Sequence, residues 1–183
     1  MKNKTIKTSS LIGSKLTNFI KLQCLKYFRF DRQFELACTE CINNADINAV
    51  SPTSLVEVEV KISKTDFLNE FDGKSKVKAY KHKVLNEEIK PKKGYIVPNY
   101  FYFCTTNELK DFILDYINTY YPKYGLLICD EHRQFNRRSY IYCAKKATKI
   151  HDNKTSTKTF EKIYKRLSSE VISLREKCIS IKK

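Results

Sequence analysis

The sequence predicts an α/β (α+β) domain in which a mixed central sheet, an antiparallel meander plus a parallel crossover, is flanked by helices. Three observations carry this expectation. Residues 55–62 alternate Val, Val, Val and Ile with Glu, Glu and Lys, a strand with two chemically distinct faces. The runs Tyr100–Cys104 and Gly125–Cys129 are apolar or aromatic throughout, the pattern of strands buried on both faces. Around them, apolar residues recur at helical spacing.

Composition agrees with a packed domain. The chain has 183 residues, 42% of them hydrophobic, with 11 Phe and 12 Tyr, enough for one core. Gly and Pro, 4 of each, exclude a low-complexity chain. The 7 Cys are scattered, several within apolar runs, which fits small hydrophobes in a reducing compartment rather than a disulfide scaffold. No run approaches the length of a membrane span, and the Lys-rich N-terminus is not followed by a secretory apolar segment. The expectation is a soluble, intracellular, cytoplasmic protein with no membrane partner.

The elements follow in order. Residues 1–10 are a flexible basic N-terminus, 11–145 a core, and 146–183 a basic C-terminal helical extension. Residues 11–28 form a helix with Ile12, Leu16, Phe19, Ile20, Cys24 and Tyr27 on one stripe, capped by Ser9 or Ser10. Phe34–Ile42 reads as a strand, Asn43-Asn44 as a turn, and Asp46–Val50 as a second strand. Leu55–Ile62 completes the meander. Ser63 and Asp66 resemble a capping box opening a helix with Phe67, Leu68 and Phe71. Asp72-Gly73 interrupts it, and the basic stretch Lys74–Lys83 follows, with Val77, Tyr80 and Val84 turned inward. Residues 91–98 are a loop, Glu108–Tyr121 an amphipathic helix, Tyr140–Ala144 a further strand, and Thr159–Ile181 the last helix.

Glu59 and Lys61 share a face of their strand, and Asp46 on the preceding strand shares it when the register agrees. Two such carboxylates can hold Mg²⁺ or Mn²⁺, which prefer oxygen ligands and keep several waters. The metal activates a water and neutralises charge on a scissile phosphate, while Lys61 orients or deprotonates the nucleophile. Taken alone, Glu57-Val58-Glu59-Val60-Lys61 reads as a half-exposed strand with a charged outer face.

Ala45-Asp46-Ile47 followed by Glu59-Val60-Lys61 is similar to the Asp…(Asp/Glu)-x-Lys signature of the PD-(D/E)XK nuclease superfamily. The continuation Ile62-Ser63-Lys64-Thr65-Asp66-Phe67, the aromatic run at 100–103 and Tyr124–Asp130 resemble its small DNA-repair-associated and phage-borne subgroup. The resemblance spans roughly residues 12–145. It implies a restriction-endonuclease-like sheet and a metal-dependent endonuclease acting on DNA in repair, recombination or mobile-element biology. By the same resemblance Asp46, Glu59 and the Val60 backbone carbonyl hold Mg²⁺ or Mn²⁺, and Lys61 assists the nucleophile. The chain departs from the pattern twice: Ala45 stands where the name-giving Pro would, and residues 11–28 hold no acid where many members have one. Either Glu35 or Glu40 is the substitute.

The formal charge of +15 favours polyanions as partners, with nucleic acid first. Lys64, Lys74, Lys76 and Lys78 near the trio, and Arg137, Arg138, Lys145 and Lys146 further on, are the expected phosphate contacts, which position without reading sequence. Phe135, Tyr140 and Tyr142 are available to stack on bases. A homodimer is the expected form for cutting both strands. Rival readings are a non-catalytic nucleic-acid-binding module on the same fold and a basic protein-interaction adaptor. Cys38 and Cys41 have the spacing of half a zinc site but lack a second pair, and Asp130-Glu131-His132 reads as a solvated loop start.

Overall fold

The computed structural model describes residues 11–132 and 138–180. Helix α1 (Ser14–Lys26) continues into a π-helical turn, Tyr27–Asp31, and is followed by β1 (Leu36–Thr39), β2 (Ile47–Ser51) and β3 (Ser54–Val60). Two helices, α2 (Lys64–Leu68) and α3 (Lys76–Leu85), lead to β4 (Tyr100–Thr106). Then come α4 (Lys110–Tyr120), β5 (Gly125–Cys129), β6 (Ile141–Lys145) and the long α5 (Thr157–Ser180).

The strands form one six-stranded mixed sheet in sequence order. β1–β2 and β2–β3 are antiparallel, as the expected meander requires. β3–β4 and β4–β5 are parallel, because each connection carries helices across the sheet. β6 returns antiparallel to β5. The fold class read from the sequence is therefore the observed one: a mixed sheet with helices on its faces.

Each face has its own core. On one, α1 lays Ile20, Cys24, Tyr27 and Phe28 over Val56, Val58, Val60, Cys104 and Leu127. On the other, Phe67, Leu85, Ile113 and Ile117 from α2–α4 cover Phe101, Phe103, Leu126 and Ile128. Toward β1, α5 seats Phe160, Ile163 and Leu167 on Cys38, Ile42, Val50 and Leu55.

Several boundaries differ from expectation. β1 is only four residues long, since Glu40 has φ 51° and turns the chain out of the strand. Gly13, not Ser9 or Ser10, stands at the N-cap of α1; both serines lie outside the described residues. Ser63 caps α2 as expected, its hydroxyl accepting from the Asp66 N–H at 3.1 Å. Val77 is not inward: it is 70% exposed, because α3 turns Lys81, His82, Val84 and Leu85 to the protein instead.

Candidate active site

The charged face of β3 is not solvated. Glu57, Glu59 and Lys61 are 0%, 8% and 3% exposed, which overturns the half-exposed strand that their pattern suggests when taken alone. The covering residues are Glu70, just past α2, and Lys81 and His82 on α3, all buried. Buried charges persist only when paired, and here they are paired densely.

Lys81 is the hub. Its ammonium donates to Glu59 Oε1 at 2.6 Å and lies 3.2 Å from Glu70 Oε1 and 3.6 Å from Glu57 Oε1. Glu70 is the counter-hub: its Oε2 accepts from Lys61 at 2.6 Å and pairs with Lys78 at 3.0 Å, while Oε1 faces His82 Nε2 at 3.3 Å. Lys61 Nζ stands 4.0 Å from Glu59 Oε2.

The electrostatics follow from this packing. Burial pushes Glu59 up to about 7; Lys81 pulls against it, and Glu70, Glu57 and Asp46 add to it. Burial likewise raises Glu57, against Lys81 and the Asn43 amide. Burial acts to raise Glu70 too, but His82, Lys81 and Lys61 prevail and hold it far below the usual carboxylate range. Burial pushes His82 down, against the pull of its hydrogen bond with Glu70.

Asp46 sits one residue before β2. The last pair of the β2–β3 ladder is Ile47↔Val58, so continuation of the register sets Asp46 across from Glu59. Its Oδ2 accepts the Val60 N–H at 2.8 Å, fixing the carboxylate at the end of β3. Its Oδ1 pairs with Lys21 of α1 at 2.7 Å. Lys21 also donates to Glu40 at 3.0 Å. Thus the antiparallel register of β1 separates the two candidate acids: Glu40 follows Thr39, the partner of Ile47, whereas Glu35 precedes Leu36, the partner of Val50 at the far end. Where the family resemblance implies an acid on the first helix, this chain presents a lysine.

The donor set fits Mg²⁺ or Mn²⁺ chemically. Asp46 and Glu59 offer hard oxygen from neighbouring strands, and Mg²⁺ is commonly held by one or two carboxylates with waters completing its shell. Among the described residues, no group of three or more His, Cys, Asp and Glu side chains is arranged to hold a metal ion. Cys38 and Cys41 sit together with no second pair, and burial raises both thiols.

The expected phosphate contacts fall into two groups rather than one track. Near the trio, Lys74 and Lys76 are exposed, Lys64 lies over the Phe112 ring at 5.0 Å, and Lys78 is tied to Glu70. Around the edge strand β6, Arg138 stacks on Phe30 at 5.1 Å, Lys145 donates to the Pro122 carbonyl at 3.0 Å, and Lys146 is exposed. Arg137 and Phe135 lie outside the described residues. Tyr140 stacks on Phe19, and the Tyr142 hydroxyl donates to Asn107.

Glu70, Lys81 and His82 were missed in the sequence, though a signal existed. Glu70 shares a helical face with Phe67, and Lys81 and His82 share one with Leu85, so polar residues stand on apolar stripes. No protein-family model, curated protein or solved structure matches the chain.

Proposed function

We propose that the protein is a metal-dependent endonuclease that hydrolyses phosphodiester bonds in DNA. One observation carries the reading: Asp46, pinned on the Val60 N–H, stands across from Glu59, with Lys61 beside Glu59. Asp46, Glu59 and the Val60 carbonyl would hold Mg²⁺ or Mn²⁺. The bound ion supplies an activated water and charge neutralisation at the phosphate.

The chain's own residues do the rest. Glu70 holds the Lys61 ammonium in place through a 2.6 Å hydrogen bond, so its rotamer is set before substrate arrives. Thr105 donates to the Lys61 carbonyl at 2.7 Å and fixes the backbone at the same point. Lys61 then orients the attacking water and offers positive charge to the phosphate oxygens. Lys74 and Lys76, exposed nearby, hold flanking phosphates without reading bases.

A second reading has its own support. Each candidate metal ligand already faces an ammonium, Lys21 on Asp46 and Lys81 on Glu59. A module that only binds DNA would tolerate such neutralisation. Cleavage separates the two. Plasmid, branched and single-stranded DNA are incubated with Mg²⁺, Mn²⁺ or EDTA. The nuclease cuts in metal and not in EDTA, and Asp46→Asn, whose amide oxygen can still accept the Val60 N–H, loses at least about 100-fold of its rate. Salt-sensitive binding without cutting in any metal refutes the enzyme and supports the binding module.

A further inference from the structure

The α1 face of the sheet holds a cavity of about 420 Å³, a volume typical of small-molecule sites. Its walls include Tyr27 of the π-helical turn, Phe34 beyond that turn, and Tyr100 and Tyr102 of β4. Arg32 and Lys146, both exposed, add two cations to the lining. The site is separate from the acidic one. It reaches β3 through Ser54 and Val56, on the face opposite Glu59 and toward the other end of the strand.

Two features set the position of the Tyr102 ring in the cavity wall. Gly125 pairs with Tyr102 across the β4–β5 ladder, and a Cβ there would run into the tyrosine ring. The Tyr102 side chain is held instead by a hydrogen bond to the backbone of Ala147. Both cations line the same cavity. Burial raises the Cys143 thiol in the cavity wall, and Arg32 and Lys146 both pull against it. Among the described residues, neither Arg32 nor Lys146 has a carboxylate partner.

An inorganic anion has no use for tyrosine and phenylalanine walls, and a neutral apolar ligand has no use for paired cations. We propose that the cavity binds a nucleoside monophosphate unit, free or at the 5′ end of a strand, with the base among the aromatic side chains and the phosphate at Arg32 and Lys146. Aromatic faces accept any base, whereas guanidinium and ammonium groups match a phosphate monoester. The assignment does not depend on the nuclease reading, because it involves none of Asp46, Glu59 or Lys61.

Calorimetric titration of the whole protein in EDTA tests it, with dAMP, deoxyadenosine and inorganic phosphate as probes. The expected result is that dAMP binds at least about tenfold more tightly than either fragment, and that Arg32→Gln/Lys146→Gln lowers its affinity by about tenfold or more. Both residues are exposed, so the double variant should keep the wild-type melting temperature. A 5′-phosphorylated oligonucleotide that displaces dAMP, with the unphosphorylated one inert, assigns the site to strand ends; no displacement assigns it to the free nucleotide. Phosphate binding as tightly as dAMP, no saturable dAMP binding, or an unchanged double variant would overturn the proposal. Loss of cleavage in Asp46→Asn with an intact dAMP isotherm separates this claim from the nuclease one.

Discussion

Under α1, β3 presents Val56, Val58 and Val60 to Ile20 and Cys24; under α3, Glu57 and Glu59 of β3 meet Lys81, and Lys61, just past the strand, meets Glu70, which also faces His82. Both faces are buried, yet they are held by different physics. The valine face gains from area removed from water, a contribution that falls gradually as methyl groups are lost. The charged face gains from mutual compensation, so removal of one member strands the others in a dry environment. Such a face is costly to maintain for stability alone. A charged, preorganised face is what a catalytic site requires.

The comparison breaks most sharply at Glu70. Glu70→Ala leaves Lys61, Lys78 and Lys81 short of a buried carboxylate and should destabilise by about 3–5 kcal/mol in urea unfolding. Val58→Ala on the other face should cost about 2 kcal/mol, the value of the apolar contact removed. If the order of these two effects were reversed, compensation would not be what holds the charged face.

A pH series sharpens the same contrast. In the folded chain Glu59 sits at about 7 against an ordinary value of 4.5, so the folded state binds this proton more tightly than the unfolded one. Its effect on stability is therefore a loss as pH rises from about 4.5 to 7. Glu70 has the opposite sign: lowered in the fold, it stabilises above its ordinary value and loses that contribution as acid protonates it. In EDTA, the wild type should lose stability between about pH 4.5 and 7, and Glu59→Gln should flatten that decline. An identical slope in the two proteins would contradict the burial of an ionisable Glu59.

The smallest effect is expected outside both faces. Lys74→Ala and Lys76→Ala alter exposed side chains and should change stability by no more than about 0.5 kcal/mol. In DNA binding, each should lower the logarithmic salt slope by about one unit if it meets a phosphate.

How much of this was legible in the sequence follows the same division. Strict alternation over residues 56–60 identified β3 and both its faces, because the period of two is local. The continuous aromatic run identified β4, because an unbroken apolar stretch marks a strand covered on both faces. Burial of the charged face was not legible, since it depends on which side of α3 turns inward. Lys81 and His82 do so and Val77 does not: Lys81 meets Glu57 and Glu59 of β3, and His82 meets Glu70 and Tyr124. The choice between Glu35 and Glu40 was equally non-local: only the β1–β2 register brings Glu40 to Lys21 and Asp46. Lys21, which lies between the apolar residues of the first helix in the sequence, meets Asp46 and Glu40 only through the docking of α1.

The proposed metal site lies between Asp46 and Glu59, and Mn²⁺ binding tests it directly. Titration of the protein with Mn²⁺, followed by electron paramagnetic resonance of the free ion, should show one saturable site in the wild type. Asp46→Asn and Glu59→Gln should each abolish it, while Glu35→Gln leaves it intact. Equal Mn²⁺ uptake by the wild type and both of these variants would contradict the assignment of this corner as a metal site.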